Sequence, residues 1–286
     1  MIFKREIFVK LYNDDSTRIT KSGGCIEADE INGVNSLPLT FVPKMPWKTI
    51  NDKDKEILFN SGKPQTTDVS LIKVPRFLKK EFEKLKISEI STQNEINNLQ
   101  RTQSYKKLLN QVINYYKKYN DDNIDIIPHS LYFGAPNLSN NTFNRDKNVY
   151  IGMHLDSFER SELGDRINAR NRICINLGKD SRYLLFYNIS LSTMYELVKE
   201  DKDVKNNVNM IYKKFALKYQ ETPIYRLEVK PYEAYIAPTE YIIHDGSSWS
   251  SHNPDLNLVL RGKFTFKKNN FFRFLKNFLF LQRNSQ

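Results

Sequence analysis

Apolar residues along this chain follow two rhythms. In Arg76–Lys86 (RFLKKEFEKLK) and Thr102–Tyr119 (TQSYKKLLNQVINYYKKY) they recur at helical spacing. In the second segment Leu108, Leu109, Val112, Ile113 and Tyr116 form a stripe suited to lie on a core. The polar stretch between them, STQNEINNLQ, reads either as a loop or as a helical continuation. After Asn123 the rhythm changes to short apolar runs with turns between: IDIIPHSLYFGA, NVYIGMHLDSF, RICINLG, RYLLFYN, IYRLEVKPYEAYIAP, YIIHDG and LNLVLRGKFTF. A helical insertion, Leu191–Tyr219, interrupts the series. Residues 1–75 are irregular, broken by prolines at 38, 43, 46, 64 and 75, with short strands such as REIFVKLY and LPLTFV among them.

Short strands at this cadence predict an antiparallel sandwich or barrel, braced by the preceding helices. The expected class is mainly β with flanking helices, α+β, in one domain spanning 1–286. Its parts are an irregular and helical portion (1–120), a β core (121–268) holding the insertion 191–219, and a C-terminal helix (269–286). The composition agrees: 286 residues, 40% hydrophobic and 13% aromatic, suffice for one large core. Cys25 and Cys174 are far apart and follow no ligand spacing, which excludes a disulfide scaffold or zinc ribbon and points to a reducing, cytoplasmic setting. The N-terminal MIFKREIFVKLYNDD lacks the features of a signal peptide, and no run approaches the roughly 18 apolar residues of a membrane span. The net charge of +11 suggests nucleic acid, but the lysines are dispersed through a Lys-, Asn- and Ile-rich chain. The densest basic cluster, Lys263–Lys276 (KFTFKKNNFFRFLK), reads as a last strand followed by an amphipathic helix.

Candidate chemistry centres on YIGMHLDSF. In a strand, residues two apart share a face, so His154 and Asp156 project together. Burying an imidazole beside a carboxylate is costly unless something binds them, and the pair has the look of a metal site lacking a third ligand. The chain has four histidines. His244 ends the strand-like YIIHDG, whereas His252 lies in the loop-like SSWSSHNPD and His129 follows Pro128 at the start of the core. Rigid elements hold ligands better than loops, which favours His244. Two histidines and a carboxylate leave half the coordination sphere free, as in non-haem Fe(II) oxygenases, while a zinc site with a water has the same donors. A cation bears on the choice. Arg261 lies seventeen residues after His244, in the alternation of LNLVLRGKF, on the face of Asn257 and Val259. A buried arginine there needs a carboxylate partner, and none is evident nearby in sequence.

The order His154-x-Asp156, then His244, then Arg261 resembles the Fe(II)/2-oxoglutarate-dependent oxygenase superfamily. RNRICINLGKDSRYLLFYN and EAYIAPTEYIIHDGSS resemble that family's connecting strands, and the likeness covers about residues 125–266. The spacing from His244 to Arg261 is longer than is usual there. The resemblance implies a double-stranded β-helix (a jelly-roll or cupin-like core). It implies Fe(II) held by His154, Asp156 and His244, with 2-oxoglutarate and dioxygen as cosubstrates. It further implies Arg261 as the anchor of the 2-oxoglutarate carboxylate, with Arg172 and Asn176 as additional contacts. Retention of Asp156 argues against the halogenating branch. The expected activity is hydroxylation, or another oxidation, of an unactivated C–H bond in a small polar metabolite, amino acid or peptide side chain, possible in natural-product biosynthesis. The charge-rich segment SFERSELGDRINAR would cover the cavity mouth. The alternatives are a nucleic-acid-acting member of the same superfamily and a non-catalytic jelly-roll binding protein.

Overall fold

A computed structural model of the protein describes residues 7–59, 62–204 and 207–267. The strands that build its two main sheets are β1 (Val9–Leu11), β2 (Ile19–Lys21), β3 (Lys48–Thr49), β4 (Val69–Lys73), β5 (Ile127–Gly134), β6 (Asn171–Asn176), β7 (Arg182–Ser190), β8 (Tyr225–Val229), β9 (Glu233–Ala237), β10 (Ile242–Ser247) and β11 (Asp255–Gly262). The helices are α1 (Asp52–Leu58), α2 (Arg76–Lys84), α3 (Gln93–Arg101), α4 (Gln103–Tyr116), α5 (Leu191–Val198) and α6 (Val208–Lys218). The architecture is α+β, as expected. The helix expected over 269–286 lies outside the described residues.

One sheet has six strands in the order β1-β4-β9-β6-β11-β5, and the other has five in the order β10-β7-β8-β2-β3. Among the described residues, only β1 and β4 pair in parallel within these sheets. From β5 onward the chain moves between them: β6 in the first, β7 and β8 in the second, then β9, β10 and β11 in alternation.

Both sheets are covered on both faces, which explains why their strands read as nearly continuous apolar runs. Between the sheets, Cys174, Tyr235 and Val259 of the larger meet Leu184, Phe186 and Leu227 of the smaller. The opposite side chains of the larger sheet, Ile173, Ile175, Ile236 and Leu258 among them, pack under Leu78 and Phe82 of α2 and Leu108, Val112 and Tyr116 of α4. The smaller sheet turns Leu185, Tyr187 and Ile189 outward onto Met194 of α5 and Ile211 and Phe215 of α6. Strand alternation thus sorts each run between two cores.

Two expectations are refined. STQNEINNLQ is a helix, because Thr92 and Glu95 form a reciprocal capping box that starts α3 (Glu95 N to Thr92 Oγ1 3.2 Å, Thr92 N to Glu95 Oε2 2.9 Å). The single helical insertion is two helices, α5 and α6, packed on each other.

The N-terminal strands are tied to the sheets by a buried ion pair. Glu233, at the start of β9, pairs with Arg18 and accepts hydrogen bonds from the Tyr12 hydroxyl (2.7 Å) and the Lys230 amide (2.8 Å). Burial, reinforced by Glu233, pushes the Tyr12 phenol up to about 12. Glu233→Ala would leave Arg18 only the partly exposed Glu228 carboxylate (2.9 Å) as an ionic partner, so stability measured by chemical denaturation should fall by about 2–3 kcal/mol. Tyr12→Phe, which removes only one hydrogen bond, should cost about 1 kcal/mol.

Candidate metal centre

The run NVYIGMHLDSF is not one continuous strand. Val149–Tyr150 pairs with Phe143–Asn144, and the chain then bends at Gly152, whose φ is +60°. A side chain at Gly152 would sit 2.6 Å from the Phe41 carbonyl oxygen, so both the left-handed backbone and the close approach call for glycine. Past the bend, His154 forms an isolated antiparallel bridge with His244 (N to O 2.9 and 2.8 Å). The Asp156 amide donates to the Thr239 carbonyl (3.0 Å), in the turn between β9 and β10. One histidine therefore rides on the edge of β10, the other lies within β10, and the carboxylate is fixed to the turn that leads into it.

These contacts bring together what the sequence separates by ninety residues. The ligand atoms of His154, Asp156 and His244 all lie within 4.8 Å of one another. His154 Nε2 is 3.8 Å from Asp156 Oδ1, and His244 Nε2 is 3.7 Å from Oδ2, too long for hydrogen bonds. Each imidazole turns its Nδ1 to a main-chain carbonyl, His154 to Gly152 (2.9 Å) and His244 to Ile242 (3.3 Å). A carbonyl can only accept, so each Nδ1 carries a proton and Nε2 is the atom turned toward the carboxylate. Burial pushes the His244 imidazole down to about 3, which keeps it neutral. Burial works to raise Asp156, but Arg172 and the two imidazoles outweigh it and hold the carboxyl at about 2. Two imidazole Nε2 atoms and an ionised carboxylate thus converge at distances too long for hydrogen bonds between them. A divalent cation satisfies all three, and the donor set fits one.

The three groups line a cavity of about 620 Å³ between the sheets. Its inner end holds an arginine that sequence reasoning passed over. Arg182, at the head of β7, is buried and forks onto Asp255 (Nε to Oδ1 3.0 Å, Nη2 to Oδ2 3.3 Å), with Nη1 against Cys174 Sγ at 2.8 Å. The signal was its parity: Arg182 shares a strand face with Leu184 and Phe186, which point into the core between the sheets. Arg172 also lines the cavity and pairs with Asp156. The outer end is lined by Gln93, Asn97 and Gln100 of α3, by Tyr132 and by Phe158.

The remaining sequence candidates go elsewhere. Arg261 stands opposite Arg172 in the β6–β11 register but is not among the cavity-lining residues. It does have an acidic partner: Nη2 is 2.6 Å from Glu240 Oε1, in the same turn that binds Asp156. Asn176 is not among the cavity-lining residues; its amide donates to the Asp180 and Val229 carbonyls (2.9 and 2.8 Å) and its Oδ1 accepts from Gly178 N. His129 packs against the Phe158 ring, and His252 lies on an exposed loop whose amide donates to Asp180. Asp245, next to His244, does not touch the imidazole. It accepts from Asn140 Nδ2 (2.7 Å), from the Thr142 hydroxyl and amide (2.6 and 3.2 Å) and from Gly246 N (2.7 Å), pinning the 140–142 segment to β10. Asp245→Ala would leave several buried donors without an acceptor, and a loss of about 2–4 kcal/mol in thermal or chemical unfolding is expected. Asp245→Asn should retain part of it.

No family model matches the chain, and neither does any curated protein. Among solved structures it is similar to the apo structure of the Kdo hydroxylase KdoO, a non-heme Fe(II) alphaketoglutarate dependent dioxygenase. The identity is 12%, the match covers 72% of this chain and 82% of that one, and the TM-score is 0.39.

Proposed function

We propose that the protein is an Fe(II)- and 2-oxoglutarate-dependent dioxygenase that hydroxylates, or otherwise oxidises, a C–H bond of a small polar molecule. The observation that carries this reading is the convergence of His154, Asp156 and His244, with ligand atoms all within 4.8 Å of one another, in the lining of a cavity. The passage of the chain between the two sheets from β5 to β11 supports a double-stranded β-helix. In that arrangement the two histidines sit on the smaller sheet's edge and the arginines face them from the strands around the cavity.

Each residue has a task. The imidazole Nε2 atoms and the Asp156 carboxylate hold the metal, and Arg172 keeps that carboxylate oriented. Bound iron(II) supplies the redox chemistry that couples oxidative decarboxylation of 2-oxoglutarate to oxidation of the substrate. Arg182 takes the distal carboxylate of the cosubstrate. Its planar fork suits a carboxylate, it lies inside the same cavity, and Asp255 neutralises it until the ligand arrives. This places the anchor on β7 instead of at Arg261 on β11. The cavity volume falls in the range of small-molecule sites, in keeping with a metabolite, an amino acid or a peptide side chain.

The test is anaerobic titration with Fe(II) and 2-oxoglutarate, followed by visible absorption of the metal–oxo-acid chelate and by succinate release in air. One metal per chain is expected, with binding weakened by at least about tenfold in His154→Ala and His244→Ala. Arg182→Lys should keep the metal and weaken 2-oxoglutarate by about tenfold, because it retains the charge and loses the fork. Metal binding that survives in both histidine variants would sink the reading, as would absence of any 2-oxoglutarate-dependent change.

A further inference from the structure

Beyond the metal and its cosubstrate, the segment that follows Asp156 is held in a way the proposed chemistry does not require. Phe158, two residues past the ligand, is 46% exposed and lines the cavity. A guanidinium covers it: Arg261 Cζ lies 4.4 Å from the ring centroid, with Arg172 Cζ at 5.8 Å and the His129 ring packed edge-on at 5.2 Å. Burial, with Arg172 and Arg261 nearby, lowers the His129 pKa, so that this third neighbour adds no charge at neutral pH.

Arg261 is itself fixed. Its partner Glu240 is almost fully buried, and both Glu240 oxygens accept from the Glu159 amide (3.1 and 3.3 Å). The Glu159 carboxylate in turn bridges Arg170 at 3.0 Å and Arg261 at 3.4 Å. From the other side, Arg166 donates to the main-chain oxygens of Asp156 (3.0 Å) and Glu240 (3.3 Å). The segment 156–159 is therefore gripped at its carbonyl, its ring and its amide, and all three grips converge on Glu240 and Arg261.

We propose that Arg261 is a positioning residue. Paired with Glu240 and stacked on Phe158, it clamps the segment 156–159 so that the Phe158 ring stands as a fixed wall of the cavity mouth beside the metal-binding carboxylate. The same cavity is lined by Gln93, Asn97 and Gln100, spaced to share one face of α3. A substrate in the cavity meets the aromatic wall as well as these polar side chains, and the clamp fixes where that wall stands. Loss of a cation over an aromatic face should raise the open population of a short segment by about twofold to thirtyfold. The inference rests on the proposed metal centre only for what the wall stands beside; the clamp is read from its own contacts.

The experiment pairs hydrogen–deuterium exchange of the full chain with binding of Mn(II) and 2-oxoglutarate. In Arg261→Met, amides between residues 157 and 170 should exchange about tenfold faster, and Phe158→Ala should do the same. The double variant should be no faster than Arg261→Met alone, because that substitution already removes the ring contact along with the Glu240 and Glu159 pairs. Arg261→Lys, which keeps a cation over the ring, should restore most of the protection. Mn(II) and 2-oxoglutarate affinities of Arg261→Met should stay within about twofold of the parent protein. Unchanged exchange in both single variants, additive effects in the double variant, or a tenfold loss of 2-oxoglutarate affinity in Arg261→Met would overturn the proposal, the last by returning Arg261 to the anchor role. Should Arg261→Met not fold, Phe158→Ala and Arg261→Lys decide between the same outcomes. If the parent protein bound neither Mn(II) nor 2-oxoglutarate, the metal centre would fail while the exchange measurements still judged the clamp.

Discussion

The ionised carboxylate of Asp156 is the interaction on which this cavity is organised. A charge buried there stands only because it is paired, and its partner Arg172 comes from the neighbouring sheet. That pair crosses the space between the sheets, and the two histidines complete the ring around it on the near side. Without Arg172 the largest influence opposing burial would be gone, and the carboxyl would titrate higher. Without the carboxylate the guanidinium would lose its ion-pair partner in the cavity.

The surrounding architecture serves this centre by routing every participant through one corner. The turn after β9 binds the Asp156 amide through Thr239, holds Arg261 through Glu240, and then enters β10, which carries His244. The bridge between His154 and His244 ties the first histidine to the same strand. Four layers, helices on sheet on sheet on helices, bury the outer faces so that the central space can be spent on polar groups. Inside it, acids and bases come in opposed pairs, Asp156 with Arg172 and Asp255 with Arg182.

Much of this was legible in the sequence. The shift from helical to strand-like spacing marked where the sheets begin, and His154, Asp156 and His244 stood out because polar metal donors are rare in apolar runs. Arg261 stood out for the same reason, yet its meaning was not readable. Its partner Glu240 lies in a turn whose direction no spacing rule gives, so a paired cation was indistinguishable from one waiting for a ligand. Arg182 was missed because it heads an apolar run and looks like the polar edge of a strand; only the β7 parity turns it inward. The capping box of Thr92 and Glu95 was present in STQNEINNLQ and sufficient to prefer a helix there. The break at Gly152 could not be read, since the need for glycine arises from a carbonyl of a distant ribbon.

That contact at Gly152 has a wider meaning for how the chain is divided. The Phe41 carbonyl that excludes a side chain also accepts the Met153 amide, one residue before the first histidine. The irregular leading portion is therefore scaffolding for the cavity, a splint laid along the loop that presents an imidazole. Any partition of this molecule into a detachable leader and a self-sufficient core would cut through the support of His154.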